Sequence, residues 1–131
     1  LILKVHTKLY GTNKKVSNAK KNSTNTINKE QLENNCGIVY TNSILSGRWK
    51  LSILAFLLDK KKLRYGELRK KLIGISERML IAQLKELQLD GLVNRIQFPE
   101  MPPRVEYGLT EKGKSLEQIL VLMSEWGTKN S

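Results

Sequence analysis

The three residues Ile73-Gly74-Ile75 limit what this chain can fold into more than any other feature of its sequence. Ahead of them, a segment opening at Tyr65 sets Leu68 and Leu72 four positions apart, the spacing of one helical face. Directly after them, Ser76 can cap a new helix by accepting an orphan backbone N–H. Glu77 then sits in the first turn, where the positive end of the helix dipole favours an anion. Gly74 can take the positive φ angle that other residues resist. Along residues 76–90, Leu80, Leu84 and Leu87 form a core stripe, and stepping about 100° per residue puts Arg78, Ala82 and Lys85 on the opposite side. Gly91 is the expected stop.

Helix, tight turn and capped helix is the layout of a helix-turn-helix, and the flanking segments extend it. Upstream, Ile38, Val39, Ile44 and Leu45, with Tyr40 between them, predict a short helix ending at Ser46-Gly47. Trp49, Leu51, Ile53, Leu54, Leu57 and Leu58 predict a central core helix, closed by Asp59-Lys60-Lys61-Lys62. The Lys triplet reads as a solvated last turn, with a phosphate contact as the alternative. Downstream, residues 92–97 and 104–109 read as two strands around a loop that holds all three prolines, Pro99, Pro102 and Pro103. Fixed φ angles give that hairpin a stiff, projecting tip. Thr110 can cap a final helix whose Leu116, Ile119, Leu120, Leu122, Met123 and Trp126 make a face wide enough to suggest a dimer seam. The predicted fold is mainly α with a small β-hairpin wing (α+β), a winged helix-turn-helix over residues 35–131 with a terminal dimerisation helix.

Charge narrows the partner. Lys plus Arg number 23 against 12 Asp plus Glu, a net +11, which points to an anion, nucleic acid first. Residues 1–35 hold seven Asn and seven Lys against Glu30 and Glu33. Little there is apolar, so residues 1–34 are expected to be a disordered basic arm. The other 96 residues carry 16 basic and 10 acidic side chains, a charge of +6, so the folded part is basic as well. No apolar run approaches the roughly 18 residues that span a bilayer, and no membrane role is expected. Leu1-Ile2-Leu3 runs into Lys4, His6 and Lys8, which breaks a signal-peptide core. Cys36 is the lone cysteine, so no intrachain disulfide can form, and a cytoplasmic setting is expected. The single histidine is His6, and neither a Gly-rich phosphate loop nor a metal-ligand cluster occurs. An enzyme, a cofactor or a metal is therefore not expected. Two Phe, two Trp and four Tyr leave few rings on which single-stranded RNA could stack.

Several motifs in fixed order go further: Cys36 thirteen positions before Trp49, Ser46-Gly47-Arg48-Trp49-Lys50-Leu51, Leu63-Arg64-Tyr65-Gly66-Glu67-Leu68, Gly74-Ile75-Ser76-Glu77-Arg78-Met79-Leu80, Asp90-Gly91-Leu92-Val93 and Pro102-Pro103-Arg104-Val105-Glu106-Tyr107-Gly108-Leu109-Thr110. Over residues 36–127 the chain resembles the HxlR family of bacterial transcriptional regulators, relatives of the MarR group. The resemblance implies a homodimeric DNA-binding regulator whose first and last helices make the dimer. Here those helices supply Ile38, Leu116, Ile119, Leu120, Met123 and Trp126. Family members often respond to oxidants, electrophiles or other small molecules. In some, a cysteine at the position of Cys36, usually followed by Pro, serves as a redox-sensing thiol. Gly37 follows it here, and Ser46-Gly47 stands where Gly-Gly is more usual.

Roles follow for individual residues. Arg78 is expected to contact a base edge or phosphate, Ser76 and the helix N-terminus to hold phosphate, Ile81 and Ala82 to touch a thymine methyl, and Lys85 to add a cation. Arg95 and Arg104 flank the stiff loop and could reach the adjacent minor groove; for Arg104 the alternative is pairing with an acidic neighbour to brace the hairpin. Cys36 lies just before the first helix, where backbone N–H groups favour a thiolate and burial opposes it. Its oxidation product would be a mixed disulfide or an intersubunit bridge. The expected function is sequence-specific, homodimeric regulation at palindromic or pseudo-palindromic double-stranded DNA, answering a redox or small-molecule effector. The alternative is a winged-helix protein-interaction module without specific DNA binding.

Overall fold

The computed structural model describes residues 36–131, and the basic arm expected over residues 1–34 lies outside them. The described residues divide after Ser46 into two units. In the first, α1 (Gly37–Leu45) starts from Cys36 at its N-cap and closes when the Ser46 N–H donates to the Asn42 carbonyl at 2.7 Å. Cys36, Ile44 and Leu45 are buried, whereas Ile38 and Tyr40 are exposed.

In the second unit, α2 (Lys50–Lys60) is the central helix, with Ile53, Leu54 and Leu57 wholly buried. Each such side chain contributes roughly 1.5–3 kcal/mol relative to exposure. There follow β1 (Lys62–Arg64), α3 (Tyr65–Lys71), α4 (Glu77–Leu89), β2 (Val93–Phe98), β3 (Arg104–Leu109), α5 (Glu111–Lys114) and α6 (Glu117–Asn130). The three strands form an antiparallel sheet in the order β1-β3-β2. Val93 pairs with Leu109 and Phe98 with Arg104, while Lys62 pairs with Gly108 on the other edge of β3. α2 packs on β3, α4 and α6, and α3 packs on β1 and β3.

The turn between α3 and α4 has the predicted chemistry. Gly74 has φ +88°, the Ile75 N–H donates to the Leu72 carbonyl at 3.1 Å, and Ser76 Oγ accepts from the Met79 N–H at 3.1 Å. At the far end of α4, Gly91 has φ +72° and donates to the Gln88 carbonyl, while the Leu92 N–H reaches back to the Leu87 carbonyl at 2.9 Å. These are the two bonds of a Schellman motif.

Two expectations need correction. The Lys triplet closes the helix only in part: Lys60 is the cation in the last turn of α2 and Lys61 its C-cap with φ +62°, but Lys62 leaves the helix and begins β1. Burial of Leu63 and pairing with the free edge of β3 outweigh the helical continuation. The terminal helix is also two helices. Leu116 donates to the Gly113 carbonyl at 3.2 Å, a tight i→i−3 turn over Ser115-Leu116 that separates α5 from α6.

One buried charge holds α4 to α2. Lys50 is 6% exposed, and its Nζ lies 2.8 Å from Glu86 Oε2, whose side chain is half in solvent. The pair therefore keeps one leg in water, which lowers the desolvation cost of the other.

Candidate nucleic-acid interface

The two sides of α4 are sharply unlike. Leu80, Leu84 and Leu87 are buried against the body, and Arg78, Ile81, Ala82, Lys85 and Leu89 are exposed on the opposite arc. Among the described residues neither Arg78 nor Lys85 is paired with a carboxylate. Both cations are thus available to an external anion. Ser76 is exposed at the helix start, its oxygen engaged by the Met79 N–H and its hydroxyl proton free to donate. Glu77, one residue on, faces Arg69 of α3 at 3.9 Å, a contact across the turn.

The wing is braced by Arg104. Its guanidinium lies 4.1 Å above the Phe98 ring, 3.2 Å from Glu100 and 3.7 Å from Glu106. Of the two roles open to it, this geometry serves the bracing one. Arg95, by contrast, is exposed and donates to the neutral Gln97 Oε1 at 3.4 Å, and among the described residues no carboxylate pairs with it. At the tip, Met101 is 97% exposed between the prolines.

Between the start of α3, the flank of α4 and the wing lies a cleft of about 860 Å³, with Ile81 on one wall and Met101 and Pro102 on the other. Tyr65 lines it, and burial, followed by the nearby Glu77 carboxylate, pushes its phenol above the ordinary value. It therefore stays a neutral hydroxyl through the physiological range.

The seam residues separate into two groups. Leu116 is 7% exposed and Leu120 half-buried, so both anchor the terminal segment to its own subunit. Ile119, Leu122, Met123 and Trp126 are exposed at i, i+3, i+4 and i+7 on α6, with Trp126 70% exposed. Ile38 is exposed on α1, and Cys36 is buried at the start of that helix. Sequence reading missed Leu89, which is 80% exposed on the outward arc of α4, and the cleft cations Arg64 and Lys70. Leu89 could have been found from periodicity, since it stands seven positions beyond Ala82. The other two owe their place to tertiary packing.

A helix-turn-helix with a cationic second helix, followed by a braced hairpin, defines the winged helix-turn-helix class of DNA-binding transcription regulators. The model of the HxlR-like helix-turn-helix family matches residues 44–131, and the chain belongs to that family. It is 50% identical over 95 residues to a protein of Fusobacterium mortiferum named as a regulatory protein, MalR, spanning 72% of this chain and 90% of that one. Among solved structures it is similar to the redox regulator HypR in its oxidized form, with TM-score 0.68, 41% identity and 73% and 98% of the two chains covered. It is also similar to the reduced form of the transcriptional regulator YodB from Bacillus subtilis, with TM-score 0.64, 34% identity and 72% and 93% covered.

Proposed function

We propose that the protein acts as a homodimer on a palindromic or pseudo-palindromic duplex, each subunit laying α4 in a major groove. The observation that carries this is the pair of free cations, Arg78 and Lys85, flanking Ala82 on a helix whose opposite side is buried. An α-helix fits the major groove, where base edges present distinguishable donors and acceptors. Arg78 is the reader or phosphate contact nearest the helix start, Ile81 and Ala82 offer apolar contact to thymine, and Ser76 donates to phosphate. Arg95 supplies the wing's external cation. The dimer brings two such helices to half-sites one helical turn apart.

Arg78→Ala, measured on a duplex selected by the wild-type protein across a salt series, is expected to weaken binding about 5- to 150-fold, equivalent to ~1–3 kcal/mol. Unchanged affinity together with an unchanged salt slope would remove Arg78 from the interface. If no duplex sequence competed better than bulk DNA, the exposed Ile81 and Leu89 would favour the protein-interaction module instead.

The effector reading centres on Cys36, which supplies the only thiol of the chain. It stands at the N-cap of α1 and is buried. Similarity to a redox regulator supports the same reading. Diamide with glutathione is expected to add one glutathione to each chain, or a bridge between two copies, and to lower duplex affinity. Cys36→Ser should abolish both changes. An oxidised sample with unaltered mass and affinity would assign the signal elsewhere.

A further inference from the structure

We infer that Lys50 is a positioning residue for the DNA-reading face: it holds and neutralises Glu86, an acid of α4 that would otherwise stand uncompensated beside the phosphates. The inference rests on the reading of α4 as the major-groove element. The residues of that helix do not by themselves make it cationic. Over Glu77–Leu89 it carries Arg78 and Lys85 against Glu77 and Glu86, a formal charge of zero. Glu86 stands four residues after Ala82, one turn along the same ridge, so it borders the outward arc. Both acids are met by cations of other helices. Arg69 of α3 faces Glu77 at 3.9 Å with both side chains half in solvent, and Lys50 of α2 lies 2.8 Å from Glu86. Only with those acids neutralised do Arg78 and Lys85 give the face a net positive charge.

Stability does not account for Lys50. Among the described residues it is the one buried charged side chain. It also occupies the first position of α2, where the positive end of the helix dipole disfavours a cation, and α2 has no acid in its first turn to offset this. An apolar side chain of similar length would fill the site without either cost, and exchanging a buried ion pair for apolar groups is often neutral or stabilising. What an apolar side chain could not do is act on Glu86. That side chain is 52% exposed, so without Lys50 it would present an uncompensated negative charge to phosphates at the edge of the groove. Lys50, with its own side chain only 7% exposed, has almost no surface to offer a phosphate, and it acts through Glu86.

The test compares Lys50→Met with the double variant Lys50→Met/Glu86→Gln on a duplex selected by the unaltered protein. A unit charge about 7 Å from a phosphate shifts affinity by about two- to threefold in water, so Lys50→Met is expected to weaken binding by about 4- to 10-fold at low salt for a dimer changed in both subunits. The deficit should shrink to within about twofold as salt is raised to about 0.3 M, because the charge is screened. The double variant removes the acid as well and should bind within about twofold of the parent at low salt. Recovery on removing Glu86 is an outcome that a purely structural part for Lys50 would not give. Lys50→Gln keeps a donor for Glu86 without the charge; it should show the same deficit, and it stands in, with its own Glu86→Gln double, if Lys50→Met fails to fold. Lys129→Ala, which removes an equal but exposed charge from α6, should leave affinity within about twofold. Undiminished affinity in Lys50→Met, or an equal loss in Lys50→Met and in the double variant, would overturn the masking of Glu86. Weaker binding by Arg78→Ala in the same series would leave the α4 reading standing. Absence of duplex binding by the unaltered protein would overturn both.

Discussion

Gly113→Ala is expected to lower the stability of the domain by about 3 kcal/mol or more, since Gly113 is the most crowded of the described glycines. Gly113 lies in α5 and is buried. An added Cβ would be driven into the carbonyl oxygen of Leu92, with the Leu92 carbonyl carbon and Leu109 Cδ2 close behind. The obstacle is backbone, and it is fixed from both sides. The Leu92 carbonyl accepts from the Thr110 N–H at 3.1 Å and its N–H closes the Schellman turn of α4, while Thr110 Oγ1 donates to the Gly91 carbonyl at 2.6 Å and accepts from the Gly113 N–H at 3.0 Å. No flexible side chain can move aside, so the helix must shift as a body and break several of these bonds. Against a total of about 5–15 kcal/mol the loss is large. It corresponds to a fall in melting temperature of about 12–24 °C for a domain of this size. Gly127→Ala on α6, where nothing stands within 4 Å, makes the opposite prediction: a gain of up to ~1 kcal/mol from reduced chain entropy. Thermal unfolding of both variants checks the pair. A Gly113→Ala protein melting within a few degrees of the parent would show that the α4–α5 junction yields easily.

That junction also shows what periodicity can and cannot reveal. The turn at Gly74, the cap at Ser76 and the stop at Gly91 are local: each depends on the φ angle or hydroxyl of one residue, and each is readable from a few neighbours. The break between α5 and α6 is not, because Thr110 and the apolar pattern from Leu116 onward are compatible with one unbroken helix. Just before the break, Gly113 lies against the Leu92 backbone, a contact between distant parts of the chain that no local pattern announces. The third strand was hidden for a related reason. Lys62-Leu63-Arg64 has a single buried side chain, too short an alternation to register, and becomes a strand only because β3 offers an edge. Lys50 reads as a solvated cation until α4 brings Glu86 to it.

The same division runs through the candidate interface. The outward arc of α4 follows from a 3.6-residue repeat, so the exposure of Arg78, Ala82 and Lys85 was legible. Which wing arginine faces outward was not. Arg95 and Arg104 both flank the prolines, and only the folded hairpin places Phe98, Glu100 and Glu106 around Arg104 while leaving Arg95 beside a neutral Gln97. On the terminal segment, the apolar arc was legible as a whole, but its division between the subunit's own body and open surface was not. Burial assigns Leu116 to the first, and exposure assigns Trp126 to the second.

Leu122→Glu is expected to separate the proposed dimer while leaving the subunit folded. Ile119, Leu122, Met123 and Trp126 form a stripe of four large apolar side chains on one face of α6, rimmed by half-buried Leu120. A two-fold interface brings the stripe against its own copy, so one substitution inserts two carboxylates into the same apolar patch. Burying them without partners costs several kcal/mol. The dissociation constant for self-association should rise at least ~100-fold, about 2.7 kcal/mol, as read by sedimentation equilibrium. Leu122 is already 56% exposed in the subunit, so thermal stability of the monomer should change by no more than about 0.5 kcal/mol. DNA binding separates the seam from the reading head. Affinity for a duplex with two half-sites should fall by about 10²–10⁴ as the linkage between the two recognition helices is lost, and affinity for a single half-site should stay as it was. Loss on both duplexes would place Leu122 in the DNA contact or the core, and an unaltered protein sedimenting as a monomer at micromolar concentration would remove the seam from α6 altogether.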